Sequence, residues 1–140
     1  MTDGDFELRE HTADVALYAW GNTADALFAA AARGLYAAMG ELVLGDEAEP
    51  IELSLEAPDL ADLLGDFLGE LLYLFDTRRV QVSELDILEL AETRLRAGGR
   101  LRPVDMARSA FDLEIKAVTR HDLAIRSEAH PFETTVVLDI

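Results

Sequence analysis

Cysteine is absent from this 140-residue chain, and lysine occurs only once, at Lys116. Without cysteine the protein has no disulfides, no thiolate metal ligands and no cysteine nucleophile. Long apolar runs are missing too: the strongest, at residues 71–75, is far too short to cross a bilayer. The N-terminus lacks the basic residue and apolar run of a signal peptide. We therefore expect a cytoplasmic protein that makes no membrane contact.

The common motifs of catalysis and cofactor binding are also missing. The sequence has neither a G-x-G-x-x-G nor a G-x-x-x-x-G-K-[ST] loop, so neither dinucleotide nor P-loop nucleotide binding is indicated. A G-x-S-x-G elbow and the acid pattern of an EF-hand are absent as well. No two of His11, His121 and His130 have the spacing of metal ligands on one helix. The ordinary sequence signatures of an enzyme are therefore missing.

Basic residues are few and unevenly distributed. The chain has 12 of them against 28 acids, for a formal net charge of −16. Residues 1–70 contain 16 of the acids and only two of the bases, Arg9 and Arg33. Because affinity for nucleic acids comes largely from Lys and Arg that neutralise phosphates, we expect no direct binding to RNA. A basic protein partner suits this charge, whereas the plainer interpretation is that the acids keep the protein soluble.

What the sequence does contain is clear apolar periodicity. Residues 6–9 predict a short first strand. In residues 14–20 the side chains alternate between two faces, which predicts a second strand. Helical spacing follows, with Asn22 or Thr23 as the N-cap and Gly40 as the end of the helix.

A third strand and a second helix are predicted next. Residues 51–56 alternate between apolar and polar side chains, as in a half-exposed strand. Pro58 suits the first turn of a helix, and Arg78 and Arg79 suit its negative C-terminal end. The apolar stripe of this helix would face the core.

The last 60 or so residues predict strands only. Gly98-Gly99 has the composition of a two-residue hairpin turn, here between strands at 94–97 and 100–102. Further strands are predicted at residues 111–118, 123–125 and 134–140. Two helices among many short strands do not form a repeating βαβ pattern. We therefore expect one α+β domain over the whole chain, with two helices packed on a mainly antiparallel sheet in two layers.

Three segments carry a family resemblance. Residues 10–15 are Glu-His-Thr-Ala-Asp-Val, and residues 114–123 contain a Lys-Ala-Val-Thr strand followed by a histidine. The chain closes with Val-Val-Leu-Asp-Ile at residues 136–140. In these segments and in its length the sequence resembles the archease family across essentially the whole domain.

The resemblance implies an accessory function. Archease-like proteins stimulate an RtcB-type RNA ligase, which joins RNA ends carrying a 3′-phosphate in tRNA splicing and RNA repair. They promote attachment of GMP to a ligase histidine and allow multiple turnover. The family also implies a divalent metal, often calcium, near the end of the chain.

Asp14, Asp139 and Ile140 are the metal ligands that the resemblance implies. Asp139 lies in an apolar run beside the end of the chain, where two negative groups repel unless a cation or hydrogen-bond donors compensate them. An all-oxygen site suits Ca²⁺, with Mg²⁺ as the alternative, better than zinc. The plainer interpretations are that Asp14 is an exposed strand acid and that the chain end frays into solvent.

Three further residues are candidate functional contacts. His11 could orient a ligand or handle a proton, or could be structural. Lys116 belongs to the family-like segment, but it could also form an ion pair with Glu114. His121 lies at a predicted turn and could simply be exposed. The acids of the second helix, Asp59, Asp62, Asp66 and Glu70, form either a solvated face or a docking surface for a basic ligase.

Two other functions remain open at the level of sequence. One is a metal-dependent hydrolase, in which Asp14 and Asp139 hold the ion and His11 handles the proton. The other is an acidic interaction protein without a metal.

Overall fold

Strands and helices follow each other in the order ββαββαβββββ in the computed structural model, which describes residues 3–11 and 13–140. The elements are β1 Gly4–Glu10, β2 Asp14–Gly21, α1 Ala24–Met39, β3 Gly40–Glu41, β4 Glu49–Glu56, α2 Leu60–Arg78, β5 Val80–Ala91, β6 Arg94–Pro103, β7 Ala110–Phe111, β8 Ala117–Val118 and β9 Phe132–Asp139.

Within residues 3–11 and 13–140 the strands form three sheets, and all of the pairings between these strands are antiparallel. A four-stranded sheet has the order β1-β2-β9-β8, a three-stranded sheet has the order β4-β6-β5, and β3 pairs with β7. The predicted α+β class is confirmed, although the strands divide among several sheets instead of sharing one.

Each helix begins after a polar capping residue, and the first helix ends at a glycine. Thr23 caps α1, because its Oγ1 accepts a hydrogen bond from the Ala26 amide at 3.1 Å, and Gly40 ends the helix with a φ of +136°. These two predictions are confirmed. Asp59 caps α2 by accepting from the Asp62 amide at 2.8 Å. Pro58 therefore precedes the cap, and the prediction that it lies in the first turn is wrong.

The hydrophobic core lies where the helices meet the sheets. Alternate residues of β2, among them Val15 and Leu17, are fully buried, and so are Val136 and Leu138 of β9. The two helices touch through the rings of Phe28 and Phe67, whose centroids are 5.9 Å apart. Because every second residue of β2 and β9 points into this core, the residues between them point to the opposite face of the sheet.

The prediction of a hairpin turn at Gly98-Gly99 is wrong. Both glycines lie inside the continuous strand β6, and the turn that joins β5 to β6 is Glu92-Thr93. A Cβ at Gly99 would lie 2.7 Å from Val82 Cγ1. Gly99 therefore allows the irregular strand β5, which shifts register after Ser83, to pack closely against β6.

The long strand predicted at residues 111–118 is also wrong. Only β7 and β8 form there, because the chain between them crosses from one sheet to another. The Asp112 amide donates to the carbonyl of Met39 at 2.9 Å, whereas the Lys116 amide donates to the carbonyl of Asp139 at 2.8 Å. The strand predicted at 123–125 does not form either; an isolated antiparallel bridge between Arg126 and Glu133 lies nearby.

Candidate functional site

Asp14 and Asp139 lie directly opposite each other in the sheet. Asp14 begins β2, Asp139 ends β9, and the register of the two strands pairs them. The Ile140 amide donates to the carbonyl of Ala13 at 3.4 Å, which is the arrangement beside a non-hydrogen-bonded pair. In such pairs the Cα atoms are typically about 4.5 Å apart and the side chains lie on the same face.

The burial pattern of the two strands places both carboxylates on the outer face of the sheet. Their sequence neighbours Val15 and Leu138 are fully buried in the core. Asp14 is consequently half-buried and Asp139 is exposed, on the face opposite the helices. Two acids that are 125 positions apart in the chain therefore form one small acidic site at the end of the sheet.

Backbone contacts bring two of the candidate functional residues to this site. The His11 amide donates to the carbonyl of Asp14 at 2.9 Å. Lys116 binds Asp139 through the backbone, as described above, and its side chain is exposed. Among the residues that the structure describes, no carboxylate lies within 4.0 Å of the Lys116 amine, so the expected ion pair with Glu114 does not form.

His121 lies in a neighbouring cleft. Its Nε2 is 3.4 Å from Asp122 Oδ2, and both side chains are strongly exposed. The cleft has a volume of about 310 Å³ and is lined from the sheet by Tyr18, Thr135 and Val137. Val137 lies two positions before Asp139 on the same face of β9, so His121 lies close to the acidic site without belonging to it.

The acidic site offers oxygen donors only. Within residues 3–11 and 13–140 no group of three or more His, Asp or Glu side chains is arranged to hold a metal ion. The register instead brings together the two carboxylates of Asp14 and Asp139, with the main-chain oxygen of Ile140 next to them along the chain. Such a set suits a hard divalent cation whose remaining positions are filled by water.

A buried acid on the same outer face was not predicted from the sequence. Glu133 is 5% exposed and accepts hydrogen bonds from Tyr18 Oη at 3.0 Å and from the amides of Ala129 and His130 at 3.2 and 3.0 Å. Burial alone would raise the pKa of Glu133, but these hydrogen bonds outweigh it and lower the pKa. Burial, followed by the hydrogen bond to Glu133, raises the pKa of Tyr18.

Aromatic rings stack beside Glu133 and Tyr18. The ring of Trp20 stacks on His130 with centroids 5.0 Å apart, and Tyr18 lies 5.2 Å from Trp20. Alternation in the sequence did place Tyr18 and Trp20 on one face of the strand. It gave no sign of Glu133, because that side chain is buried by a loop that has no periodic pattern.

The loop after β8 is also tied to α2. The guanidinium of Arg120 forms ion pairs with Asp62 and Asp66 and lies over Gly65, where an added Cβ would be 2.3 Å from Arg120 Nη1. Part of the acidic face of α2 is therefore neutralised within the molecule. By contrast, a Cβ at Gly69 would meet no atom of the described residues within 4 Å, apart from its own helix backbone and chain neighbours.

Most arginines of the second half are paired as well. Four of them alternate along β6, namely Arg94, Arg96, Arg100 and Arg102, and each lies within 4.0 Å of a glutamate on β4 or β5. The outer face of the three-stranded sheet therefore carries an ion-pair ladder instead of a free basic surface. No helix in the described part of the chain is long and apolar enough to span a bilayer.

Residues 6–140 match the model of the Archease protein family. The chain belongs to this family. The archease of Methanopyrus kandleri is 31% identical over 134 residues, which cover 94% of this chain and 96% of the relative. The archease of Methanosarcina mazei is 34% identical over 144 residues, with coverage of 96% and 95%.

Solved structures share the archease fold. The solution structure of protein 1598 from Methanobacterium thermoautotrophicum gives a TM-score of 0.71 at 26% identity and covers both chains completely. The crystal structure of an archease from Thermotoga maritima, described as a possible chaperone, gives a TM-score of 0.69 at 25% identity and covers 96% of each chain. The fold expected from the resemblance is thus confirmed.

Proposed function

We propose that this archease-family chain is a metal-binding accessory protein that activates an RtcB-type RNA ligase. It would promote guanylylation and multiple turnover of the ligase in tRNA splicing or RNA repair, without catalysing a reaction itself. The observation that carries the proposal is the alignment of Asp14 with Asp139 in a chain of this family. An accessory role agrees with the description of the Thermotoga maritima relative, since a chaperone also acts on another protein.

The donors of the acidic site fit a divalent cation. Asp14, Asp139 and the main-chain oxygen of Ile140 would hold it, and oxygen ligands favour Ca²⁺, or Mg²⁺ in its place. Directly opposed carboxylates repel each other, and a cation would remove that repulsion. When bound, the ion would supply a positive charge beside Lys116 on an otherwise negative surface.

The charge distribution supports a protein partner over bare RNA. The net charge is −16, and the arginines of β6 are engaged with glutamates of the neighbouring strands. Few basic groups therefore remain to neutralise phosphates. The acidic surface would attract a basic protein and speed its association at low salt.

A turnover assay tests the proposal. RNA joining and guanylylated ligase are measured with the ligase at a concentration far below that of the RNA, with and without this chain. We expect no joining by the chain alone and a rise in RNA joined per ligase when it is added. Asp139→Asn should lose most of the stimulation, whereas Asp46→Asn, which removes one exposed charge elsewhere, should keep it.

Other results would identify the alternatives. Hydrolysis of a phosphoester by the isolated chain would indicate a metal-dependent hydrolase in which His11 handles the proton. Stimulation of the ligase without any bound divalent ion would indicate a metal-free acidic interaction protein. An unchanged turnover rate at every concentration of the chain would contradict the proposal.

A further inference from the structure

An open groove lies between the C-terminal half of α2 and the segment that crosses between the sheets. It has a volume of about 380 Å³, and its apolar lining comes mainly from Leu72 and Phe75 of α2 and from Met106, Phe111 and Leu113. This volume is at the lower end of the range of about 300–1,000 Å³ that ligand pockets occupy. The groove therefore has room for bulky apolar side chains.

Two exposed large apolar side chains lie together in this groove. In the described ranges, 3–11 and 13–140, the large hydrophobic residues classed as exposed are Tyr73, Leu88, Met106 and Phe111. Two of these, Met106 at 42% and Phe111 at 41%, line the same groove. Apolar side chains scattered singly on a surface need no explanation, whereas adjacent ones rimmed by polar groups mark interaction sites.

The rim of the groove is acidic. Asp76, Asp112 and Glu114 line it, and none of them has a basic group of the described residues within 4.0 Å. The one basic residue in the lining, Arg79, lies with its guanidinium carbon 5.1 Å from the centre of the Phe75 ring. The rim consequently favours positive charge next to an apolar floor.

The crossing segment connects the groove to the end of β9 through the backbone. Ile115 lines the groove, and the next residue, Lys116, binds the carbonyl of Asp139.

We propose that this groove is a docking site for a protein segment that presents a bulky apolar side chain flanked by lysine or arginine. The apolar side chain would pack against Met106 and Phe111, and the basic groups would face Asp76, Asp112 and Glu114. The proposal rests on the proposed function, under which the segment belongs to the ligase.

Binding of the purified ligase to the full chain tests this docking site. Met106→Ser removes an apolar contact, and Asp112→Lys reverses one rim charge; each should weaken binding about tenfold at low salt. Leu88→Ser and Asp46→Lys are matched controls, because Leu88 and Asp46 are exposed but lie outside the groove. Both controls should bind within about twofold of the unaltered chain. At ~0.5 M salt the deficit of Asp112→Lys should shrink because the charges are screened, whereas that of Met106→Ser should persist.

Two further measurements separate this docking site from the function itself. Melting temperature and Ca²⁺ affinity should be unchanged in Met106→Ser and Asp112→Lys. If the unaltered chain binds the ligase and both groove variants bind equally well, the docking site is overturned while the proposed function stands. If the unaltered chain does not bind the ligase, both the proposed function and this docking site are contradicted. If Met106→Ser only abolishes self-association in sedimentation, the occupant is a second copy and the docking proposal is wrong.

Discussion

At the scale of single residues, the pairing of Asp14 with Asp139 is the feature with the largest consequence. Like charges directly opposite each other in a sheet destabilise it by up to about 1 kcal/mol relative to neutral pairs. Both strands are nevertheless held in this register by buried neighbours on the other face. The apo protein would therefore tolerate the repulsion, and a bound cation would relieve it.

We predict that Asp14→Asn or Asp139→Asn removes most of the calcium-dependent rise in melting temperature. For the unaltered chain, we expect a hundredfold excess of Ca²⁺ over its dissociation constant to stabilise the fold by about 2.7 kcal/mol. Without calcium both variants should be as stable as the unaltered chain or slightly more stable, since one repelling charge is gone. Thermal melts and calorimetric titration with Ca²⁺ and Mg²⁺ provide the measurement. Equal affinities in all three proteins would eliminate the metal site.

At the scale of elements, the glycines within helices differ in how closely they are packed. Gly69 of α2 has open space where a Cβ would lie, whereas a Cβ at Gly34 of α1 would be 2.3 Å from Leu17 Cδ1 in the core. We predict that Gly69→Ala raises the free energy of unfolding by about 0.5–1 kcal/mol through helix propensity. Gly34→Ala should lower it by about 1–3 kcal/mol through overpacking. Denaturant unfolding would show that the two substitutions change the free energy of unfolding in opposite directions. Equal changes in both variants would contradict this packing.

We predict that the stability of the fold depends on pH through Glu133, which the loop before β9 buries. The folded protein holds the pKa of this carboxyl below its ordinary value of 4.5, so the charged form stabilises the native state. That contribution is complete above the ordinary value and is lost as the pH falls through the lower, folded value. Glu133→Gln should thus lower the melting temperature at neutral pH, with a difference that narrows in acid below about pH 4.5.

A neighbouring residue provides the control for this pH dependence. Glu128 is exposed. Glu128→Gln should leave the melting temperature at neutral pH nearly unchanged. A difference between Glu133→Gln and the unaltered chain that is constant from neutral to acidic pH would show that the charge of Glu133 is not responsible.

At the scale of the whole molecule, the distribution of charge decides which partners are attracted. The ion-pair ladder on β6 engages arginines that would otherwise form a basic stripe. Individual exposed pairs contribute little to stability, typically about 0–1 kcal/mol. Their larger effect is on recognition, because a neutralised arginine no longer attracts phosphate.

We predict that the unaltered chain has negligible affinity for single-stranded RNA at moderate salt, and that removing ladder acids increases it. Glu52 pairs with Arg96, and Glu84 lies near two arginines of the ladder. The double variant Glu52→Gln, Glu84→Gln should show measurable, salt-sensitive RNA binding in gel-shift assays at low salt. The control Glu41→Gln, Glu47→Gln makes the same change in net charge away from the ladder. Tight RNA binding by the unaltered chain would show that the charge argument is wrong.

The sequence by itself determined the features that depend on neighbours along the chain. Alternation in residues 14–20 divided the side chains of the second strand between two faces, and Thr23 and Gly40 defined the first helix. These predictions are correct because side-chain periodicity and capping act over three or four positions. The family-like segments likewise identified Asp14 and Asp139 as a pair, although their role as metal ligands stays a prediction.

The tertiary structure alone decided which distant segments meet. The pairing of β2 with β9 aligns the two aspartates, the loop before β9 buries Glu133, and the crossing segment at 112–116 opens the groove beside α2. Gly98-Gly99 is the clearest case in which a local sequence pattern predicted the wrong structure. Its composition is that of a turn, but the close approach of β5 uses glycine in mid-strand instead. Contacts of this kind depend on residues tens of positions apart, so no local pattern records them.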